Sequence, residues 1–225
     1  MFAYPLMLQM RIAVDIHPRS RSRALDLYDF RGRIIRVFNH MTRYIHDFPT
    51  GVSELEAPDV LFLLGGYSWK KSNFVIWVLH YDSNSKQFAF RTVSPWRGIG
   101  GKRKAVFIGN NENEMLAYDA AARLRQILKE RRKLTAGGLD MEPFEVLRDM
   151  LREGKYDSIG GPPQIVKVYR YLNSMPYAVY WPNRESDQIT VLGRPLLDYE
   201  TLDYPILDPD TLEIERAPLH RGAKA

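Results

Sequence analysis

The sequence predicts a layered α+β fold with helices on the outside of two packed sheets. Two observations carry this. Segments with helical periodicity come in pairs, so the order is helix, helix, three or four strands, helix, helix, two strands. The run NFVIWVLHYD (73–82) is apolar on both faces, with Phe74, Ile76 and Val78 alternating with Val75, Trp77 and Leu79. A strand with no polar face is covered on both sides, as in sheets packed face to face beneath helices.

Residues 2–17 read as the first helix: Leu6, Met10, Ala13 and His17 recur near the helical period, and Pro18 blocks continuation. The second helix runs from about Leu25 to Phe48, with Ile34, Phe38, Met41 and Ile45 on one face, and Pro49-Thr50-Gly51 ends it. Strands follow at 59–67, 73–82 and 87–93, with SNSK (83–86) as the turn between the last two. The basic loop PWRGIGGKRK leads into a short strand, AVFIG (105–109). A third helix spans about Glu112 to Leu134, with Leu116, Ala120, Leu124, Ile127 and Leu128 on its buried stripe. A fourth covers 141–154. Asp140 is placed to cap it, Pro143 sits in its first turn, and Phe144, Leu147 and Leu151 share a face. Strands at 164–171 and 177–181 and a short one near 188–192 complete the body.

Composition narrows the function classes. The 225 residues are 45% hydrophobic and 26% charged, an ordinary globular balance with length enough for one packed domain or two small ones. With no cysteine the chain has no disulfide, thiolate metal site or cysteine nucleophile, which fits a reducing cytoplasm. No secretory signal is visible, and no run reaches the roughly 20 apolar residues of a membrane helix. A cytoplasmic protein without a membrane partner is expected. Residues 1–135 carry 22 Lys+Arg against 12 Asp+Glu, whereas 136–225 carry 10 against 15. That split suits either a nucleic-acid surface or contacts between subunits.

Motifs add little chemistry. His17, His40, His46, His80 and His220 are scattered, with no metal-ligand spacing, and no metal or cofactor is expected. GIGGKRK (98–104) lacks phosphate-loop spacing and precedes a strand rather than a helix. The basic segments HPRSRSR, WRGIGGKRK and KERRK could meet phosphates, with Trp96 stacking on a base, but a solvated charged face accounts for them. Phe88 and Phe90 share a strand face, where core packing explains them more simply than base stacking. No nucleophile elbow, kinase set or dinucleotide fingerprint is present.

A family resemblance goes further. VLFLLGGYSWKKSNFVIWVLHYDSNSKQFAFR resembles the central hairpin of the proteasome-type N-terminal-nucleophile (Ntn) hydrolases, with Leu61–Gly66, Phe74–Asp82 and Phe88–Arg91 as the matching pieces. FIGNNENEMLAYDAAARL, with Gly109 at the junction, resembles the family's strand–glycine–helix step. DMEPFEVLRDMLREGKYDSIGG resembles its helix followed by an acidic, glycine-rich approach to the last strands. Over residues 2–181 the resemblance implies a four-layer αββα sandwich, an oligomer of like or related subunits, a peptide-like substrate and amide-bond hydrolysis. The expected organisation is one domain over 1–193 and an extended acidic, proline-rich tail over 194–225.

The departures concern catalysis. The family's nucleophile is the first residue of the mature chain, because its own α-amine, with a pKa of about 7.7–8.0, can accept a proton. Met1 has no hydroxyl or thiol, and the chain opens inside the first helix, so the catalytic amino-terminal hairpin is expected to be missing. No residue maps onto the family's nucleophile, lysine or aspartate. The family commonly places Ser immediately before the glycine pair, three residues after Asp; here Gly160 lies three after Asp157, and the serine is Ser158. Asp157, Ser158, Gly160 and Gly161 are therefore candidates for the rim of a site, or form a corner where the chain turns into a sheet. Three functions follow: a hydrolase domain whose nucleophile lies elsewhere, a non-catalytic oligomeric or partner-binding subunit, and, least favoured, a nucleic-acid binder.

Overall fold

The structure is a computed structural model that describes residues 7–8, 11–12, 15–16, 18–22, 25–42, 60–93, 105–109, 114–134, 139–170 and 173–216. It is an α+β protein with two separate sheets. The chain clusters into two compact units, Met1–Ser94 with Val168–Asn173, and Pro95–Lys167 with Ser174–Ala225. Among the described residues no helix is long and apolar enough to cross a membrane.

In the first unit, the described parts of the expected first helix (7–8, 11–12 and 15–16) are helical. A single turn, α1 (Pro18–Arg21), precedes α2 (Leu27–Thr42). The sequence extends α2 to Phe48; residues 43–59 lie outside the described ones. Asp26 starts α2. Its carbonyl accepts the Phe30 N–H and its carboxylate accepts the Tyr28 N–H at 3.0 Å, the two bonds of an N-cap. Asp29 in the first turn also suits the positive end of the helix dipole.

Three antiparallel strands follow in sheet order β1 (Leu61–Ser68), β2 (Asn73–Asp82), β3 (Gln87–Thr92), each within two residues of its predicted span. Asp82 sets the second turn by accepting from the Asn84 N–H and the Ser85 hydroxyl. Ile34 and Phe38 of α2 pack on Leu79 and Phe88, and Leu27 packs on Val75 and Trp77. Edge-to-face rings join Phe38 to both Phe62 and Phe88. Gly66 allows this approach, because a Cβ there would lie 2.9 Å from a Leu27 methyl. The other face of β2 is apolar too: Val78 is buried, Ile76 half-buried and Phe74 exposed.

In the second unit, α3 (Glu114–Glu130) and α4 (Glu142–Glu153) enclose a core of Leu116, Ala120, Leu124, Leu128, Val146 and Met150. The α3 stripe is the predicted one; the α4 stripe is not. Val146 and Met150 are buried and Leu147 is exposed, a rotation that turns Glu142 and Glu145 toward Arg131 and Lys133. Nor does Asp140 cap α4. Met141 holds that position with no side-chain bond, and the Asp140 N–H donates to Glu142 at 2.6 Å. Residues 105–109 are not a strand: they form no ladder, and Ala105 and Phe107 pack against the helix pair instead.

The second sheet runs in order β7 (Arg194–Pro195), β6 (Ile189–Val191), β5 (Ser174–Tyr180), β8 (Ile206–Leu207), β9 (Ile214–Glu215), and β4 (Ile165–Val168) also pairs with β5. The segment read as an extended tail after residue 193 thus supplies three short strands, with β8 parallel to β5. Asp208 makes the β8–β9 turn by accepting the N–H groups of Asp210 and Thr211. Arg148 donates to the Pro209 carbonyl and Arg152 to Asp210, tying α4 to that turn.

Candidate functional site

The turn that the sequence singles out begins where α4 stops. Gly154 ends the helix in the left-handed region (φ 61°) and returns its N–H to Met150, a glycine C-cap. Tyr156 and Ile159 then face inward, packing against the α3–α4 core, and the Ile159 N–H closes the turn on the Tyr156 carbonyl. Asp157, Ser158, Gly160 and Gly161 are exposed. Gly161 has φ 74°, which explains one of the two glycines by backbone conformation; an added Cβ at either would meet no atom within 4 Å. The four residues share one solvent-facing turn, and the corner reading accounts for its backbone geometry.

Beneath the turn lies a cluster that the sequence does not announce. Asp119 accepts from Arg123 Nε at 3.2 Å and from the Tyr156 hydroxyl at 2.9 Å, while Arg123 also makes a fork of bonds to Glu153. The Lys155 ammonium lies 5.0 Å from the Tyr156 ring centre and 3.7 Å from Asp119. Hydrogen bonding from Arg123 is the main reason that the Asp119 carboxyl sits below its ordinary pKa, and contact with Tyr156 is the main reason that Lys155 sits above its own. Each charge is neutralised within the cluster. The arrangement anchors the turn to α3 and offers no free base.

The buried serine of the first unit behaves the same way. The Ser68 hydroxyl donates to both carboxylate oxygens of Asp26, at 3.1 and 3.0 Å, and accepts the Lys71 N–H. The Lys70 N–H completes the set on Asp26 at 3.2 Å. Burial raises the Asp26 pKa, but bonds from Tyr28, Lys70 and Ser68 outweigh it, and the group ends below its ordinary value. A hydroxyl whose proton is committed to a carboxylate, with no imidazole or amine bonded to it among the described residues, is a lock and not a nucleophile. Asp26 directly before a helical apolar run is an N-cap signal that local reading could have found; its partners 42 and 44 residues away are not visible that way.

The other candidates are dispersed. His40 lines a shallow surface cavity with Ile35, Arg36, Asn39 and Gln87, and His80 lies on β2. His17, His46, His220, Trp96 and residues 98–104 fall outside the described residues. No group of three His, Asp or Glu side chains suited to a metal ion occurs among the described residues. In KERRK, Arg131 pairs with Glu145 and Lys133 with Glu142, so two of its cations are committed internally. Phe88 and Phe90 both pack into the α2 core. No family model, no curated protein and no solved structure matches this chain.

Proposed function

We propose that the chain is the framework of a proteasome-like, Ntn-type hydrolase, a four-layer αββα body in an assembly that cleaves peptide or amide bonds, with the nucleophile outside the described residues. One observation supports this reading above others: the first sheet is apolar on both faces. α2 covers Val75, Trp77 and Leu79, while Ile76 and Val78 form a second apolar face on the same strand. Such a sheet is suited to lie between layers. The element order, with a helix pair following the hairpin, points the same way.

The test is hydrolysis of a fluorogenic peptide panel by the protein expressed together with whatever its reading frame encodes upstream of Met1. Expected is turnover that is lost when the chain's first α-amine is blocked and is unchanged in Ser158→Ala. Turnover abolished by Ser158→Ala would move the nucleophile to the exposed turn and refute the proposal. A second reading, a partner-binding subunit without catalysis, is favoured by the committed hydrogen bonds of Ser68 and by the ion-paired cluster at Asp119. Absence of turnover on every amide tested supports it.

A further inference from the structure

The two edges of the first sheet are finished differently. On β3, the Asn39 side chain of α2 accepts the Phe88 N–H at 2.7 Å and donates to the Phe88 carbonyl at 3.1 Å. That primary amide occupies the outward pair of backbone groups as a neighbouring strand would, and so blocks the edge. Among the described residues β1 carries no such cap: its strand neighbour there is β2, and none of its outward backbone groups has a hydrogen bond from those residues.

Which groups point outward follows from the ladder. Antiparallel pairs alternate between bonded and non-bonded, and a residue of a central strand turns both its N–H and C=O to the same side. Phe88 faces away from β2, so its partner Tyr81 faces β1, as do Leu79, Trp77 and Val75. Their partners Phe62, Leu64 and Gly66 face β2 in return, in a register without a bulge. Leu61, Leu63, Gly65 and Tyr67 therefore present their N–H and C=O groups to the open side. Leu63 and Gly65, at the middle of this edge, are exposed.

We propose that β1 is a self-association edge and that its occupant is β1 of a second copy of this chain, antiparallel, with the two-fold axis at Leu64. This register pairs Leu61 with Tyr67 and Leu63 with Gly65, so that all four outward residues of each copy meet outward residues of the other. It sets Leu63 opposite Gly65 and Phe62 opposite Gly66, a large side chain against none each time. It opposes no like charges, because LFLLGGYS has no ionisable group other than the Tyr67 phenol. Natural edge strands that avoid pairing carry lysine, proline or a bulge, and β1 has none of these. The two three-stranded sheets become one continuous six-stranded sheet.

The absence of native cysteine makes the register directly testable. Leu64→Cys places a thiol opposite its own symmetry mate at a non-hydrogen-bonded pair, where Cα atoms about 4.5 Å apart admit a disulfide. Mild oxidation should convert this variant to a covalent dimer of twice 26.2 kDa, whereas Gly65→Cys should cross-link poorly. Leu63→Pro provides a second route, since the N–H it removes points outward and the β1–β2 ladder keeps its bonds. In sedimentation velocity the unmodified chain should be dimeric and Leu63→Pro monomeric, with the amides of Leu61, Gly65 and Tyr67 losing exchange protection only in the variant. The idea fails if the unmodified chain stays monomeric through the micromolar range, whether or not those amides are protected. It fails equally if a dimer survives Leu63→Pro and Leu64→Cys forms no cross-link.

Discussion

The two units each bury a carboxylate completely, Asp26 in the first and Glu142 in the second, and keep it ionised by different means. Asp26 has neutral donors: two backbone N–H groups and the Ser68 hydroxyl. Glu142 has the Lys133 ammonium at 2.6 Å and the Asp140 N–H. In both, burial raises the pKa and the donors more than reverse it. Neutral dipoles fixed by a helix start and a hairpin need no mobile partner. The ammonium is half exposed and sits on a long side chain, so its contribution is open to solvent and salt.

The largest expected effect comes from removing the neutral-donor site. Asp26→Ala deletes an N-cap and strands a buried hydroxyl and two N–H groups, at a cost of roughly 2–4 kcal/mol. The midpoint of chemical denaturation should fall accordingly, with exchange protection lost first across α2 and β1. A uniform loss over both units would mean that the contrast between them has no energetic content.

The ion-paired site should respond less and differently. Lys133→Met leaves Glu142 buried with the backbone N–H groups of Asp140 and of Glu142 itself and with the Arg131 guanidinium 3.9 Å away, and should cost about 1–2 kcal/mol, a figure already reduced for the exposure of the ammonium. Raising salt should shrink this difference and leave that of Asp26→Ala unchanged. Acid acts on both sites in the same direction. Each carboxylate has a folded pKa below its unfolded one, so its contribution is complete above the ordinary carboxylate range and is lost as pH falls through the folded value. Stability should therefore decline below about pH 4, and Asp26→Asn should flatten that decline. An unchanged acid slope would show that Asp26 is not among the groups that set it.

How far the sequence discloses this arrangement depends on the range of each interaction. The β1–β2–β3 meander and the α2 and α3 stripes follow from strand-length apolar runs with a turn between them and from helical period, which are local. The α4 stripe does not, because Phe144-Leu147-Leu151 and Val146-Met150 are both helical spacings, and the choice is made by Arg131 and Lys133 on the preceding segment. Strands β7 to β9 are two residues each and gain their pairing from β6, β5 and β8 in turn. At the candidate turn, the glycines and prolines announce a corner; that Asp157 and Ser158 face solvent while Tyr156 and Ile159 face the core is fixed by Asp119 and the helix pair.

The smallest expected effect is at that turn, and it separates the corner from the rim. Asp157 and Ser158 are exposed, whereas Asp26 and Ser68 are buried and bonded to each other. Asp157→Asn and Ser158→Ala should each shift stability by less than about 0.5 kcal/mol, as surface substitutions do. Tyr156→Phe, by contrast, removes the hydroxyl that donates to Asp119 and should cost about 1 kcal/mol. Thermal melts of the three variants order them directly. If Asp157→Asn or Ser158→Ala proved markedly stabilising, the native pair would be held at an energetic cost, the behaviour of a site kept for chemistry or binding and not of a corner.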